Sequence, residues 1–354
     1  MRGGGGVRVE LTQFIISFVL IFNIILSLTI IFLERKNATA TWAWIMVLTF
    51  IPIFGFILYL IFGRKLSNKA IFTWDTKSKL GVKTAVQHQL REIESGDFFL
   101  KDPGMSQYED LFYLHLRNND AIYSQDNSVN VFTDGNHKFN SLLEDIDQAT
   151  DHIHLQYYIV KSDHLGNRLA EALIIKAKEG VEVRFLYDDL GSRTLSRKLI
   201  RKMRDAGADV EGFFPPLIPK VNFKINHRNH RKLVIIDGKI GYIGGFNIGG
   251  DEYLGMDKRF GYWRDTHLRI VGSAVKNLQT RFILDWNQAS RHDIEYDERF
   301  YDSTSDGNTG MQIVSSGPDS DWEQIKHGYI KMIMSAKEYV YIQTPPISYL
   351  MKAC

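Results

Sequence analysis

The stretch His230–Asn247 reads H-R-K-L-V-I-I-D-G-K-I-G-Y-I-G-G-F-N. Four branched apolar residues, Leu233 to Ile236, predict a buried strand. Asp237-Gly238 is a strong hairpin turn signal, and Lys239 to Ile243 reads as the return strand. His230 and Lys232 are two apart on an extended chain, so they point the same way, while Asp237 falls on the other face or at the turn. Gly244-Gly245 removes two side chains just before Asn247, which would let a ligand approach the backbone. An imidazole, a cation and a donor amide around one open spot suit a phosphate. The imidazole can serve as nucleophile or as acid, and Lys232 and Asn247 can hold anionic oxygens. An isolated H-x-K usually belongs to an ordinary surface hairpin. The full spacing, H-x-K-x4-D-x6-G-G-x-N, is far more specific.

The chain has 354 residues, enough for two or three domains. Hydrophobic residues make up 44% and charged residues 24%, so most of it should fold around a core. Lys and Arg number 43 against 41 acids, a balance that speaks against a dedicated nucleic-acid binder. The single cysteine, Cys354, leaves no material for an internal disulfide framework or a cysteine metal site.

Residues 1–10, with four consecutive glycines, read as an unstructured leader. Leu11 to Leu33 carries no charge and would span roughly 34 Å as a helix, enough to cross a bilayer. It is longer than the apolar core of a signal peptide. Thr41 to Phe62 is also uncharged, with Trp42 and Trp44 at one end and Tyr59 near the other, as membrane interfaces favour. The short link between them predicts a two-helix hairpin over 11–69. Arg2, Arg8, Arg64, Lys65 and Lys69 flank it, against Arg35 and Lys36 in the loop, which puts both ends in the cytoplasm. Residues 70–128 read as a connector, with a helix near Leu111 to Leu116.

From Val129 strands and helices alternate. Strands are expected at 129–132, 152–160, 181–187 and 210–214, and helices on the faces Phe139–Ala149, Leu165–Lys178, Leu195–Met203 and Val275–Asn287. This pattern predicts an α/β domain. Gln156, Tyr157, Tyr158, Asp188 and Asp189 end strands and could line a phosphate site, as could Glu252 and Asp265, although each taken singly is more often packing, a turn or a salt bridge. Between Arg197 and Lys232 stand ten Lys and Arg against three acids. The apolar loop F-F-P-P-L-I-P at 213–219 lies inside that run. Such a surface is either solvated or laid against anionic headgroups.

The H-x-K spacing resembles the HKD motif of the phospholipase D superfamily. The flanking runs P-P-L-I-P-K-V-N-F-K-I-N-H-R-N-H-R-K (215–232) and W-R-D-T-H-L (263–268), with R-K-N-A-T-A-T-W-A-W (35–44) near the start, resemble bacterial cardiolipin synthases. The resemblance implies an α/β phospholipase D-like lobe at 129–300, following the membrane hairpin. It implies catalytic roles for His230, Lys232 and Asp237, and substrate contacts at Gly244, Gly245 and Asn247. The implied reaction joins two phosphatidylglycerol molecules into cardiolipin and glycerol through a phosphatidyl-histidine, with no metal or cofactor. The implied partners are phosphatidylglycerol, other anionic lipids and the bacterial cell membrane, with the catalytic lobe cytoplasmic, and no nucleic acid. Members of the family pair two H-x-K motifs from two lobes. Here strand, helix and strand at 311–314, 322–334 and 338–343 read as the opening of an incomplete second lobe, 301–354, and His230-Arg231-Lys232 is the one H-x-K in the sequence. A chain stopping before its second motif is expected to be weakly active or inert, unless a homo-oligomer supplies the second histidine. A hydrolytic phospholipase D or nuclease, and an inert membrane-bound fragment, are the alternative readings.

Overall fold

The structure is a computed structural model that describes residues 4–33, 38–62, 81–213, 228–249, 254–255, 261–317 and 323–342. It divides into two units, Met1–Thr73 and Trp74–Cys354. The hairpin loop 34–37, most of the apolar loop at 213–219, Glu252 and the tail from Gln343 lie outside the described residues.

In the first unit, helix α1 (Gly4–Leu33) begins inside the glycine run, where the sequence suggested a leader. Helices α2 (Ala38–Phe50) and α3 (Phe54–Phe62) replace the single helix expected over Thr41–Phe62. Pro52 explains the break: it has no amide hydrogen to donate to the helix, and Ile53 after it takes a left-handed φ of 63°. Leu26, Ile30, Leu48 and Tyr59 form a small core, with the Trp44 ring edge-on to Tyr59 at 5.3 Å. Phe14, Phe18, Leu20, Ile24 and Phe32 face outward. Among the described residues no helix is long and apolar enough to cross a membrane.

The second unit opens with α4 (Val82–Ser95) and α5 (Glu109–Asn119). Then come β1 (Tyr123–Phe132), α6 (Gly135–Asp147), β2 (His152–Tyr157), α7 (His164–Lys178), β3 (Glu182–Asp188), α8 (Arg197–Asp205) and β4 (Asp209–Phe213). The hairpin strands β5 (Leu233–Ile236) and β6 (Ile240–Gly244) follow, then β7 (His267–Val271), α9 (Ala274–Ala289), β8 (Thr309–Gln312) and α10 (Gln324–Ser335). The strands make one mixed sheet in the order β4-β3-β2-β5-β6-β7-β1-β8. The pairs β2–β3 and β3–β4 are parallel; the remaining pairs are antiparallel. Parallel neighbours need a crossover, and α7 and α8 provide the two.

Strand β2 shows how the layers form. All six of its residues are buried. Ile153, Leu155 and Tyr157 join the cluster that Phe139, Leu142 and Ile146 of α6 and Leu165, Leu169 and Leu173 of α7 build on one face. His152, His154 and Gln156 alternate onto the other face, under α9. There His154 stacks on Phe282 at 4.6 Å and hydrogen bonds with Gln279, and Gln156 donates to Asp285. A strand covered on both faces belongs to a three-layer α/β/α sandwich.

The expected second lobe takes a different form. Strand β8 pairs antiparallel with β1 and extends the same sheet, and α10 packs on α5. Strand β1 begins at Tyr123, six residues before the expected start, and its polar residues Ser124 and Asn127 carry the pairing with β8. An exposed strand edge presents unpaired N–H and C=O groups, and β8 pairs with those of β1. No strand is present between Ala336 and Ile342, where one was expected.

Candidate active site

The β5–β6 hairpin is closed by the Lys239 amide donating to the Ile236 carbonyl at 3.0 Å. Asp237 and Gly238 at its centre have φ of 52° and 64°, the left-handed pair that Asp-Gly tolerates best. This hairpin holds His230 and Lys232 at one end of β5 and Asp237 at the other.

At the first end, the His230 imidazole stacks on the Tyr158 ring with centroids 3.7 Å apart and planes 20° apart. The Lys232 ammonium sits 5.2 Å from the same ring centroid and donates to the His230 carbonyl at 2.6 Å. Tyr158 thus sets imidazole and ammonium side by side, as the two-residue spacing predicted. Gly191 makes room for that ring, since a Cβ there would meet the Tyr158 Cε2 at 2.9 Å. Burial, the Lys232 charge beside it and, in the opposite sense, the Asp188 carboxylate act on His230, and the net effect holds its pKa below 6.5. Its imidazole is therefore neutral at neutral pH. Burial pulls Lys232 down to about 8, against the opposing pull of Asp265. It remains mostly cationic at pH 7.

Arg231, between them, points the other way. Its guanidinium pairs with Asp285 at 3.2 Å and donates to the Ser316 carbonyl. Asp285 also accepts from Gln156 at 2.7 Å, from Asn229 at 3.1 Å and from Arg281. Burial alone would push this carboxyl up, but Arg231 and Arg281 outweigh it and hold its pKa below the usual range. The Asn229 amide in turn donates to Asp188 at 3.1 Å, and the Leu190 and Gly191 amides donate to the same carboxylate. His230 is therefore set between two residues clamped to buried carboxylates. The sequence reading did not single out Asp285 or Asn229. A visible signal existed: Asp285 lies between Ile283 and Trp286 on the otherwise apolar face of a predicted helix.

The other expected site residues separate. Asp237 is not beside His230 or Lys232. Its carboxylate accepts from the Thr150, Asp151 and His152 amides at 2.9, 2.8 and 3.0 Å and from the Thr150 hydroxyl at 3.1 Å. Burial would raise its pKa, but these bonds lower it. In this geometry Asp237 caps the start of β2. The glycines serve packing: a Cβ on Gly244 would run into His267 at its Cγ, 2.7 Å away, and one on Gly245 would overlap the Asp265 carboxylate. Asn247 is nearly buried, and its side-chain oxygen accepts from the Ile159 amide at 3.1 Å, one residue after Tyr158. Of the strand-end residues, Tyr158 reaches the site directly, Gln156 and Asp188 support it from beneath, and Tyr157 turns into the core to accept from Lys138. Among the described residues no group of His, Cys, Asp and Glu is arranged to hold a metal ion.

Comparison with known proteins follows the same lines. The family described as "Cardiolipin synthase, PLD-like domain" matches residues 142–256, and "Phospholipase_D-nuclease N-terminal" matches residues 21–64. The cardiolipin synthase of Oceanobacillus iheyensis is 62% identical over 335 residues, 95% of this chain and 70% of that protein. The major cardiolipin synthase ClsA of Bacillus subtilis is 54% identical over 338 residues, again 95% of this chain and 70% of the relative. Among solved structures, NucT from Helicobacter pylori aligns with 49% of this chain and 100% of its own, at 16% identity and a TM-score of 0.36. At 62% and 54% identity to those two cardiolipin synthases over 95% of its length, the chain belongs to the cardiolipin synthase family.

Proposed function

We propose that this protein transfers a phosphatidyl group from one phosphatidylglycerol to another, forming cardiolipin and releasing glycerol. The observation that carries the reading is the neutral imidazole of His230 beside the Lys232 ammonium on the face of Tyr158. A neutral imidazole has a free lone pair for phosphorus, and the adjacent cation offsets charge gathering on the phosphoryl oxygens. In the first step a nitrogen of His230 bonds to phosphorus, the bond from phosphorus to the headgroup glycerol breaks, and glycerol leaves with a proton from a general acid. In the second, the glycerol hydroxyl of another phosphatidylglycerol gives up its proton and attacks phosphorus, and the bond from phosphorus to His230 breaks. The acid and base of these steps would be the histidine of a further H-x-K element. A second copy of the chain is one source of it.

Lys232 and Asn247 are assigned to the phosphoryl oxygens. Gly244 and Gly245 are assigned to the close approach of β6 to the Asp265–His267 segment that walls the site, and Asp237 to alignment of the hairpin. The uncharged stretches 11–33 and 41–62, together with the match of residues 21–64 to an N-terminal family, support a hairpin anchored in the bacterial cell membrane. The basic flanks support a cytoplasmic lobe.

The test is expression of the chain in a bacterial host lacking cardiolipin, with lipid analysis by mass spectrometry. Cardiolipin should appear, and should vanish with His230→Ala. Release of phosphatidic acid with no cardiolipin would replace the transferase by a hydrolase. Unchanged lipids would favour an inert chain.

A further inference from the structure

Helix α8 carries its charge on one side. Leu195 before it and Met203 within it are buried, and Leu199 and Ile200 pack against the main core. Arg197, Lys198, Arg201 and Lys202 face outward, as does Arg193 just upstream. Positions 197 and 201, and 198 and 202, are one turn apart, so four like charges are stacked in two rows, an arrangement that weakens a helix. None of these five forms an ion pair among the described residues, whereas Arg184, Arg231, Arg269, Arg281 and Arg299 of the same unit all do. The acids of the neighbourhood form no ion pair with them, although Asp189 lies within the field of Arg193 and Arg197. Asp205 ends the helix, and Asp209 leans toward Arg184 at 3.9 Å. A face that repels itself and forms no ion pair among the described residues suits negative charge from outside.

Its position points to what brings that charge. Arg193 follows Ser192, whose hydroxyl donates to the Tyr158 carbonyl at 3.1 Å, and Gly191 lies against the Tyr158 ring on which His230 stacks. The basic face therefore begins at the rim of the candidate active site. A flat row of cations on a short helix fits a plane of anionic headgroups, each basic residue strengthening the attraction and salt weakening it. The near-equal totals of acids and bases in the whole chain speak against nucleic acid.

We propose that the outer face of α8 docks on an anionic lipid surface and holds the rim around His230 against the bilayer. This rests on the phosphatidyl-transfer reading, because it makes the substrate-bearing membrane the docking partner. The test uses the full chain with Asp205→Cys and Cys354→Ser, carrying an environment-sensitive fluorophore, incorporated in vesicles that contain a headgroup-labelled quencher. Quenching should be about threefold or more stronger in phosphatidylglycerol vesicles than in phosphatidylcholine vesicles. It should fall at 0.5 M salt, and fall likewise when Arg197, Lys198, Arg201 and Lys202 are all changed to Gln, with the fold checked by circular dichroism. Equal quenching in both lipids, or quenching indifferent to the four substitutions, overturns the proposal. So does protection of the fluorophore by duplex DNA in preference to lipid. No readout needs turnover, so lipid analysis of the same vesicles reports separately on phosphatidyl transfer.

Discussion

At the scale of single residues, the site is a stack. Tyr158 supplies a flat surface on which His230 lies at 3.7 Å, with Lys232 at 5.2 Å from the same ring. The ring covers one side of the imidazole, and this shielding contributes to holding its pKa below 6.5. On the proposed chemistry, kcat/KM should rise with pH as His230 becomes neutral. It should fall again near pH 8, as Lys232 loses the proton that lets it hold phosphate. Two variants check this. Tyr158→Leu should move the acid limb up toward 6.5 and lower kcat about ten- to hundredfold through lost positioning, whereas Tyr158→Phe, which keeps the stack, should stay close to the parent. Lys232→Arg should abolish the alkaline limb near 8, because a guanidinium stays charged there. An alkaline limb that survives in the arginine variant would assign it to another group.

At the scale of elements, the hairpin and α9 divide the work. The hairpin carries His230 and Lys232 on one side, while Arg231 reaches across to Asp285 of α9. Asp285 is buried and gathers Arg231, Arg281, Gln156 and Asn229. Removing it takes the shared buried acceptor from two guanidinium groups and two amides. Asp285→Ala should therefore destabilise the lobe by about 3–5 kcal/mol, read as a lowered midpoint of thermal or denaturant unfolding. Asp285→Asn, which keeps the shape and some hydrogen bonds, should cost less. A loss under about 1 kcal/mol for the alanine variant would mean that the carboxylate does not anchor the hairpin.

At the scale of the molecule, the lobe buries histidines that it does not protonate. His152, His154 and His267 are fully buried, and burial holds all three below 6.5, for His154 and His267 well below. The unfolded chain binds protons at these positions below its own pKa near 6.5, and the folded one does not. Stability is therefore full above about pH 6.5 and falls as the pH drops below it, by up to about 1.4 kcal/mol per pH unit for each histidine. The lowered carboxyls Asp237 and Asp285 act in the same direction at still lower pH. Denaturant unfolding of the full chain at pH 7.5, 6.5 and 5.5 should show little change over the first interval and a clear loss over the second. A midpoint that is flat or rises toward pH 5.5 would contradict the buried, neutral state of these rings.

Much of this protein was legible in its sequence. The branched run Leu233–Ile236 with Asp-Gly after it specified the hairpin, because turn chemistry and side-chain alternation are local. The same locality set His230 and Lys232 on one side, and the alternation of strand and helix periods marked the α/β class. Tertiary structure decided what depends on neighbours distant in sequence. It placed Asp237 on the amides of residues 150–152, out of reach of the candidate site. It used Gly244 and Gly245 to admit His267 and Asp265, and it made Tyr158 the platform and Asp285 the anchor. It also joined Thr309–Gln312 to the edge of β1. A pattern of residues states which way each side chain points along its own element. Which partner it meets there is set by the packing of elements tens to hundreds of residues apart, where burial and charge pairing are first decided.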